Sequence, residues 1–292
     1  MTAIAAALST FSLGSLPFAQ FKRDSSFYLR YDTAYLLAGI ALLLALPAMG
    51  YQAPSQTFEL WHIALLPVAT YVLIIAHVFI HNASHGNFPR AINRIVGEIC
   101  GVMVLTKFAS WEIVHRRHHR HTDDAEKDPH PAERAYWRYA KNTLINVEKQ
   151  LQMQYFELHG DTPETRFYER WRSRLSFVSG FVLVLCWHEL LGAPFFFVLF
   201  LPASVMAGLF VIFFNWAGHN AHDPNAKIEP TDLDHGIFWI LNRMFFGIFF
   251  HGTHHKLAML FNPMKGAQQR ARSAEMRAAE AGAVDAAARE QG

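Results

Sequence analysis

Four short groups of histidines carry the chemistry of this chain. "HNASH" supplies His81 and His85, "HRRHH" supplies His115, His118 and His119, "NWAGH" supplies Asn215 and His219, and "HGTHH" supplies His251, His254 and His255. Residues three and four apart share a helix face, so each group, if helical, turns its imidazoles to one side. Neutral imidazole is a ligand for iron, copper, zinc and nickel, and nine are too many for one ion of about four to six ligands. Two ions sharing nine ring nitrogens, with Asn215 helping directly or through water, account for the number. Soluble di-iron bundles reach a comparable nuclearity with carboxylates. This chain shows no such carboxylate pattern, so the centre is expected to be dominated by histidine.

Those groups must be positioned by apolar elements, because 52% of the 292 residues are hydrophobic, 25 are Phe and only 17% are charged. A bilayer crossing needs about 20 apolar residues. Residues 33–51, 60–80, 175–191 and 195–214 meet that need without a Lys or Arg. Short connections join the first to the second and the third to the fourth, so the spans read as two hairpins. Of the 26 Lys and Arg, 3 precede the first span, 15 lie between the second and third, 8 follow the fourth and none sits in either short connection. That asymmetry predicts that both termini and the long middle segment are cytoplasmic. The basic face is suited to anionic head groups or an acidic partner. Nucleic acid is not an expected partner of a chain that crosses the bilayer four times.

"HNASH" and "NWAGH" begin one residue after the second and fourth spans. The other two groups follow apolar runs of 12 and 15 residues, 95–106 and 236–250, which contain Glu98 and Asn242 with Arg243. Too short and too polar to span, these runs are expected to lie along the interface or dip into it. All the histidine groups then reach one membrane surface. The expected fold is an all-α integral membrane protein: four transmembrane helices as two hairpins, under a cytoplasmic histidine-rich metal-binding cap formed by residues 81–174 and 215–264. Residues 1–264 make one domain, and the Ala-rich, charged stretch 265–292 is expected to be a frayed helix or disordered. Residues 1–20 lack a positive n-region and read as an interfacial lead-in rather than a cleaved signal. Cys100 and Cys186 read as packing residues.

"HNASH", "HRRHH" and "HGTHH" together resemble the three histidine boxes of the integral-membrane fatty acid desaturase and hydroxylase superfamily, and "NWAGH" resembles the further NxxxH element of its stearoyl-CoA desaturase branch. The resemblance runs from about residue 60 to His255 and includes the "DP" at Asp128 and Pro129. It implies two non-haem irons held by His81, His85, His115, His118, His119, His219, His251, His254 and His255, with Asn215 through water, and O2 as co-substrate attacking a C–H bond of a lipid chain. His77, His121, His222 and Asp128 are candidates to support the ligands from behind. His62, His130, His159 and His235 read as structural or solvated. The chain departs from the family pattern at Asn82, where an acid is common, and in "KLAML" after the third box.

Desaturation of a fatty acyl chain is the first reading. A hydroxylase, a ketolase or an alkene-forming decarboxylase of a fatty acid, alkane or isoprenoid is the alternative on the same scaffold. A histidine-rich metal transporter would need ionisable residues along a mid-bilayer path, and a zinc hydrolase needs about three ligands, so neither explains nine histidines at one surface. The sequence contains no HPGG, CxxC or GxGxxG motif, which makes a separate ferredoxin or cytochrome with its reductase the expected electron donor. A bacterial inner membrane is the expected location.

Overall fold

The computed structural model describes residues 15–290, and among them there is helix and no strand, apart from one isolated bridge between Asp232 and Phe250. After a short helix α1 (Pro17–Phe21) come α2 (Phe27–Ala48) and α3 (Leu60–His85). Helices α4 (Arg90–Met103), α5 (Phe108–Arg120) and α6 (Tyr136–His159) form the middle segment. Helices α7 (Pro163–Leu191) and α8 (Ala193–Gly218) follow, and α9 (Ile237–Met244), α10 (His251–Lys256) and α11 (Pro263–Glu290) complete the chain. Helices α2, α3, α7 and α8 are each long and apolar enough to cross a membrane, and the protein is an integral membrane protein.

Only 17 to 33% of each apolar window is buried within the protein, so most of that surface faces outward. Leu37, Leu44, Val68, Phe181 and Val205 are among the exposed side chains, as a bilayer requires and water would penalise. The spans that follow each other in sequence are not the main packing partners. Helix α2 packs chiefly on α7, while α3 packs on α8, α4 and α5. Gly39 sets the first contact: a Cβ there would lie 2.5 Å from Val182 Cγ1, and the buried Cys186 thiol reaches the Gly39 carbonyl at 3.5 Å. Cys100 is likewise a buried free thiol.

Two spans begin earlier than their apolar runs. Helix α2 starts at Phe27 because Phe27, Tyr28, Tyr31 and Asp32 turn inward, where the aromatics join Phe21, Ile113 and Tyr155 in one core. Asp32 is buried against Lys107, which also donates to Ser176 Oγ at 2.7 Å. Helix α7 starts at Pro163, capped by Thr162, whose hydroxyl accepts from Thr165 N. Its charged first turns are accommodated by pairing: Arg172 is buried between Glu169 and Glu148. Burial of paired charges lets the helix continue out of the apolar zone as one rod. Helix α3 likewise runs past Ile80 through the first histidine group, and stops at Gly86, whose φ of 79° closes the last turn.

Helices α4 and α9 carry outward apolar stripes, Ile92, Ile95 and Ile99 on one and Ile237, Ile240 and Met244 on the other, as expected of helices lying at a lipid interface. The chain from Lys265, expected to be frayed or disordered, belongs to α11. Arg270 of that helix donates to Thr253 Oγ1 at 2.7 Å, so its first turns are fastened to α10. Of the interfacial lead-in expected over residues 1–20, residues 1–14 lie outside those described; Phe18 N donates to the buried Glu112 carboxylate at 2.8 Å.

Candidate metal centre

The last turn of α3 presents His81 and His85, α5 presents His115, His118 and His119, α10 presents His251, His254 and His255, and His219 caps the end of α8. Their side chains sort into two groups at one end of the bundle. His81, His85, His115 and His254 form the first, and His118, His219, His251 and His255 the second; within each group the ligand atoms lie within 4.8 Å of one another. His119 adjoins the first, its Nε2 being 3.1 Å from that of His115 and 3.0 Å from that of His254.

The sorting follows from helix geometry. A helix advances about 100° per residue, so residues four apart nearly eclipse while adjacent residues diverge. On α5, His115 and His119 therefore turn to the first group and His118 to the second. On α10 the pattern is reversed: His251 and His255 belong to the second group and His254 to the first. Each of these helices serves both groups.

The donor atoms fit metal ions. His85 Nε2 lies 2.8 Å from His115 Nε2, and His251 Nε2 lies 3.1 Å from both His219 Nε2 and His255 Nε2. Two ligands at right angles, each about 2.1 Å from a shared ion, stand roughly 3.0 Å apart. His118 Nε2 is buried without a hydrogen-bond partner, a cost that coordination would remove. Burial, reinforced by the neighbouring imidazoles, holds His115, His118, His251 and His254 well below the ordinary histidine pKa, and burial also lowers His119, to about 4. They are kept neutral, the form that binds metal.

The supporting contacts are unequally placed. His118 Nδ1 is 2.8 Å from Asp128 Oδ1, and Asp128 is itself fixed by the backbone N–H groups of Asp123 at 2.7 Å and His130 at 2.8 Å. Burial raises the Asp128 carboxyl to about 6, with His130 acting in the opposite sense. His219 Nδ1 is 2.9 Å from Asp123 Oδ1, a contact not anticipated from the sequence. Asp123 is adjacent to Asp124, and nothing in the spacing tells which of the two reaches across to α8. His255 Nδ1 lies 3.3 Å from Thr122 Oγ1.

Other expected residues have contacts of their own. The Asn215 amide donates to Tyr139 Oη. His77 Nδ1 meets the Leu73 carbonyl at 2.9 Å, one turn back along α3. His121 ends α5 beside Arg117, and His222 packs edge-on to Trp216. His130, read as structural or solvated, stacks edge-on to His118 at 5.2 Å. Asn82 donates to the Val78 carbonyl and accepts from Asn87, so the departure from an acid at this position is taken up by local structure.

A narrow cleft beside the first group is lined by Ile74, His77, His81, Trp111, Phe214 and His254, and is closed by Leu260 and Phe261. Its wall is mostly apolar, with His77, Asn82, His81 and His254 as the polar exceptions, so an apolar chain lying there would pass directly beside the first group. "KLAML" therefore bears on the cleft.

No curated protein and no solved structure is similar enough to this chain to count as a match. A family model described as fatty acid desaturase matches residues 58–260, a stretch that takes in every one of these histidines and three of the four long apolar helices. The chain belongs to the fatty acid desaturase family.

Proposed function

We propose that the protein oxidises a lipid chain with O2 at two histidine-held iron ions, and that the reaction is desaturation of a fatty acyl chain. The observation that carries this reading is a pair of adjoining imidazole groups, the first of which lines a largely apolar cleft through His81 and His254. Bound iron would supply the activation of O2. The chain's own residues do the rest. Nine imidazole rings provide the ligand positions, and Asp128 and Asp123 fix the tautomers of His118 and His219 by holding their Nδ1–H groups. Phe214, Ile74 and Phe261 exclude water and hold an alkyl chain against the cleft wall that contains His81 and His254. Position along that wall selects the carbon attacked.

In the overall reaction the –CH2–CH2– unit loses two hydrogens, and O2 accepts them together with two electrons and two protons to give two waters. The electrons come from a separate ferredoxin or cytochrome with its reductase. The termini and the histidine groups face the cytoplasm, in a bacterial inner membrane, which places the centre where such a donor can reach it. Leu260 in the cleft wall, within the stretch that departs from the family pattern, favours a second reading on the same scaffold: hydroxylation, ketone formation or alkene-forming decarboxylation.

Feeding deuterated fatty acid under 18O2 to a host expressing the chain separates these outcomes. Desaturation gives an unlabelled product lacking two hydrogens of the alkyl chain. A product carrying 18O refutes desaturation in favour of hydroxylation, and loss of one carbon refutes it in favour of decarboxylation. If no lipid chain reacts, the reading fails as a whole.

A further inference from the structure

Support behind the two histidine groups is strongly one-sided. In the second group three of the four Nδ1 atoms have partners: His118 on Asp128, His219 on Asp123 and His255 on Thr122. In the first group, including His119, no Nδ1 atom meets a hydrogen-bonding partner among the described residues; the contacts there are between Nε2 atoms. Neither group includes a carboxylate as a ligand, and Asp128 and Asp123 bring formal negative charge against two of the second group's rings.

The aspartates are held for this task. One turn carries both: Asp123, at a φ of 62° that few side chains tolerate, gives its N–H to Asp128 while its carboxylate goes to His219. Asp128 is completely buried and receives two backbone N–H groups as well as the imidazole. A carboxylate on Nδ1–H makes the opposite nitrogen a stronger donor and fixes the ring's orientation. The first group has neither aid, and its His81 and His254 line the cleft.

We infer that the two ion positions are inequivalent. The position formed by His118, His219, His251 and His255 retains its ion, through Asp128 and Asp123 acting as positioning residues, whereas the cleft-side position is the exchangeable one. The larger number of imidazoles at the cleft-side position works the other way, but their Nδ1 atoms are unsupported, and His81 and His119 are only partly buried, as His255 of the second group also is. The second group's rings are nearly all locked before an ion arrives. This inference rests on the two-ion reading above.

The test is iron release. Detergent-purified protein loaded anaerobically with iron(II) is mixed with excess of a ferrous chelator, and the coloured complex is followed in time. Wild-type protein should release two irons per chain in two phases of equal amplitude with rates at least about tenfold apart, since loss of such support costs roughly 10- to 100-fold in metal affinity. Asp128→Asn and Asp123→Asn should each accelerate the slow phase by a factor in that range and leave the fast phase unchanged. Asp123 is partly exposed, so its variant carries the test if the buried Asp128 does not tolerate change. A single phase for both ions overturns the inference while leaving the two-ion reading intact, and so does acceleration of the fast phase alone. Loaded protein with fewer than two irons overturns the two-ion reading, and this inference with it.

Discussion

Replacing Gly218 by alanine should damage the metal centre from a residue that has no donor atom. In an ordinary helix the change would stabilise by up to about 1 kcal/mol, because alanine is the better helix former. Here a Cβ would lie 2.9 Å from Cβ and Cγ of His251 and 3.0 Å from its Cδ2. Carbon atoms rest about 3.5 Å apart or more, so His251 must yield by roughly 0.6 Å. Rotation about χ1 gives no relief, because one clashing atom is the Cβ that the backbone fixes. That backbone is itself tied in place: Gly252 N donates to Thr231 O at 3.0 Å, and Thr231 N donates to Gly218 O at 2.8 Å. Overpacking of this kind costs about 1–3 kcal/mol, which outweighs the helix gain. The displacement falls on a second-group imidazole, and a misplacement of about 1 Å can cost 10²-fold in rate, so about tenfold is expected here. The assay is iron per chain and acyl-chain turnover in purified protein, with thermal unfolding to check the fold. Gly208→Ala is the control, since nothing lies within 4 Å of a Cβ at that position on the same helix. It should keep wild-type iron and activity. A Gly218→Ala protein with wild-type iron content and turnover would refute the reasoning.

Lys107→Ala should destabilise the bundle by about 3–5 kcal/mol, because it leaves the fully buried Asp32 carboxylate without its cation; unfolding in detergent measures the loss, and restoration by the further change Asp32→Leu would show that the stranded charge is its cause. Reporter fusions at both termini should report the cytoplasm and a tag inserted after Ser55 the opposite side, as the distribution of Lys and Arg predicts; an external C-terminus would refute this orientation.

The sequence by itself determined the class of the protein. A run such as 60–80 has no partner for its backbone except itself and no use for water, so a helix in lipid is its one stable solution. The four histidine groups were likewise legible, because ligand chemistry is written in residue type and local spacing. Beyond that, local spacing is silent. It gave no reason to divide "HRRHH" between two positions, with His115 in one, adjoined by His119, and His118 in the other, since this depends on which helices stand on either side of α5. It grouped Asn215 with the centre by spacing, and only the fold shows that its amide donates to Tyr139. It could not find Asp123, whose partner His219 lies 96 positions away. The starts of α2 and α7 were hidden for the same reason: the burial of Asp32 and Arg172 depends on Lys107 and Glu148, distant in sequence, being brought against them. Elements follow from local periodicity, but the pairing of charges and the sharing of ligands are contacts between distant segments, and only the packing of α3, α5, α8 and α10 decides them.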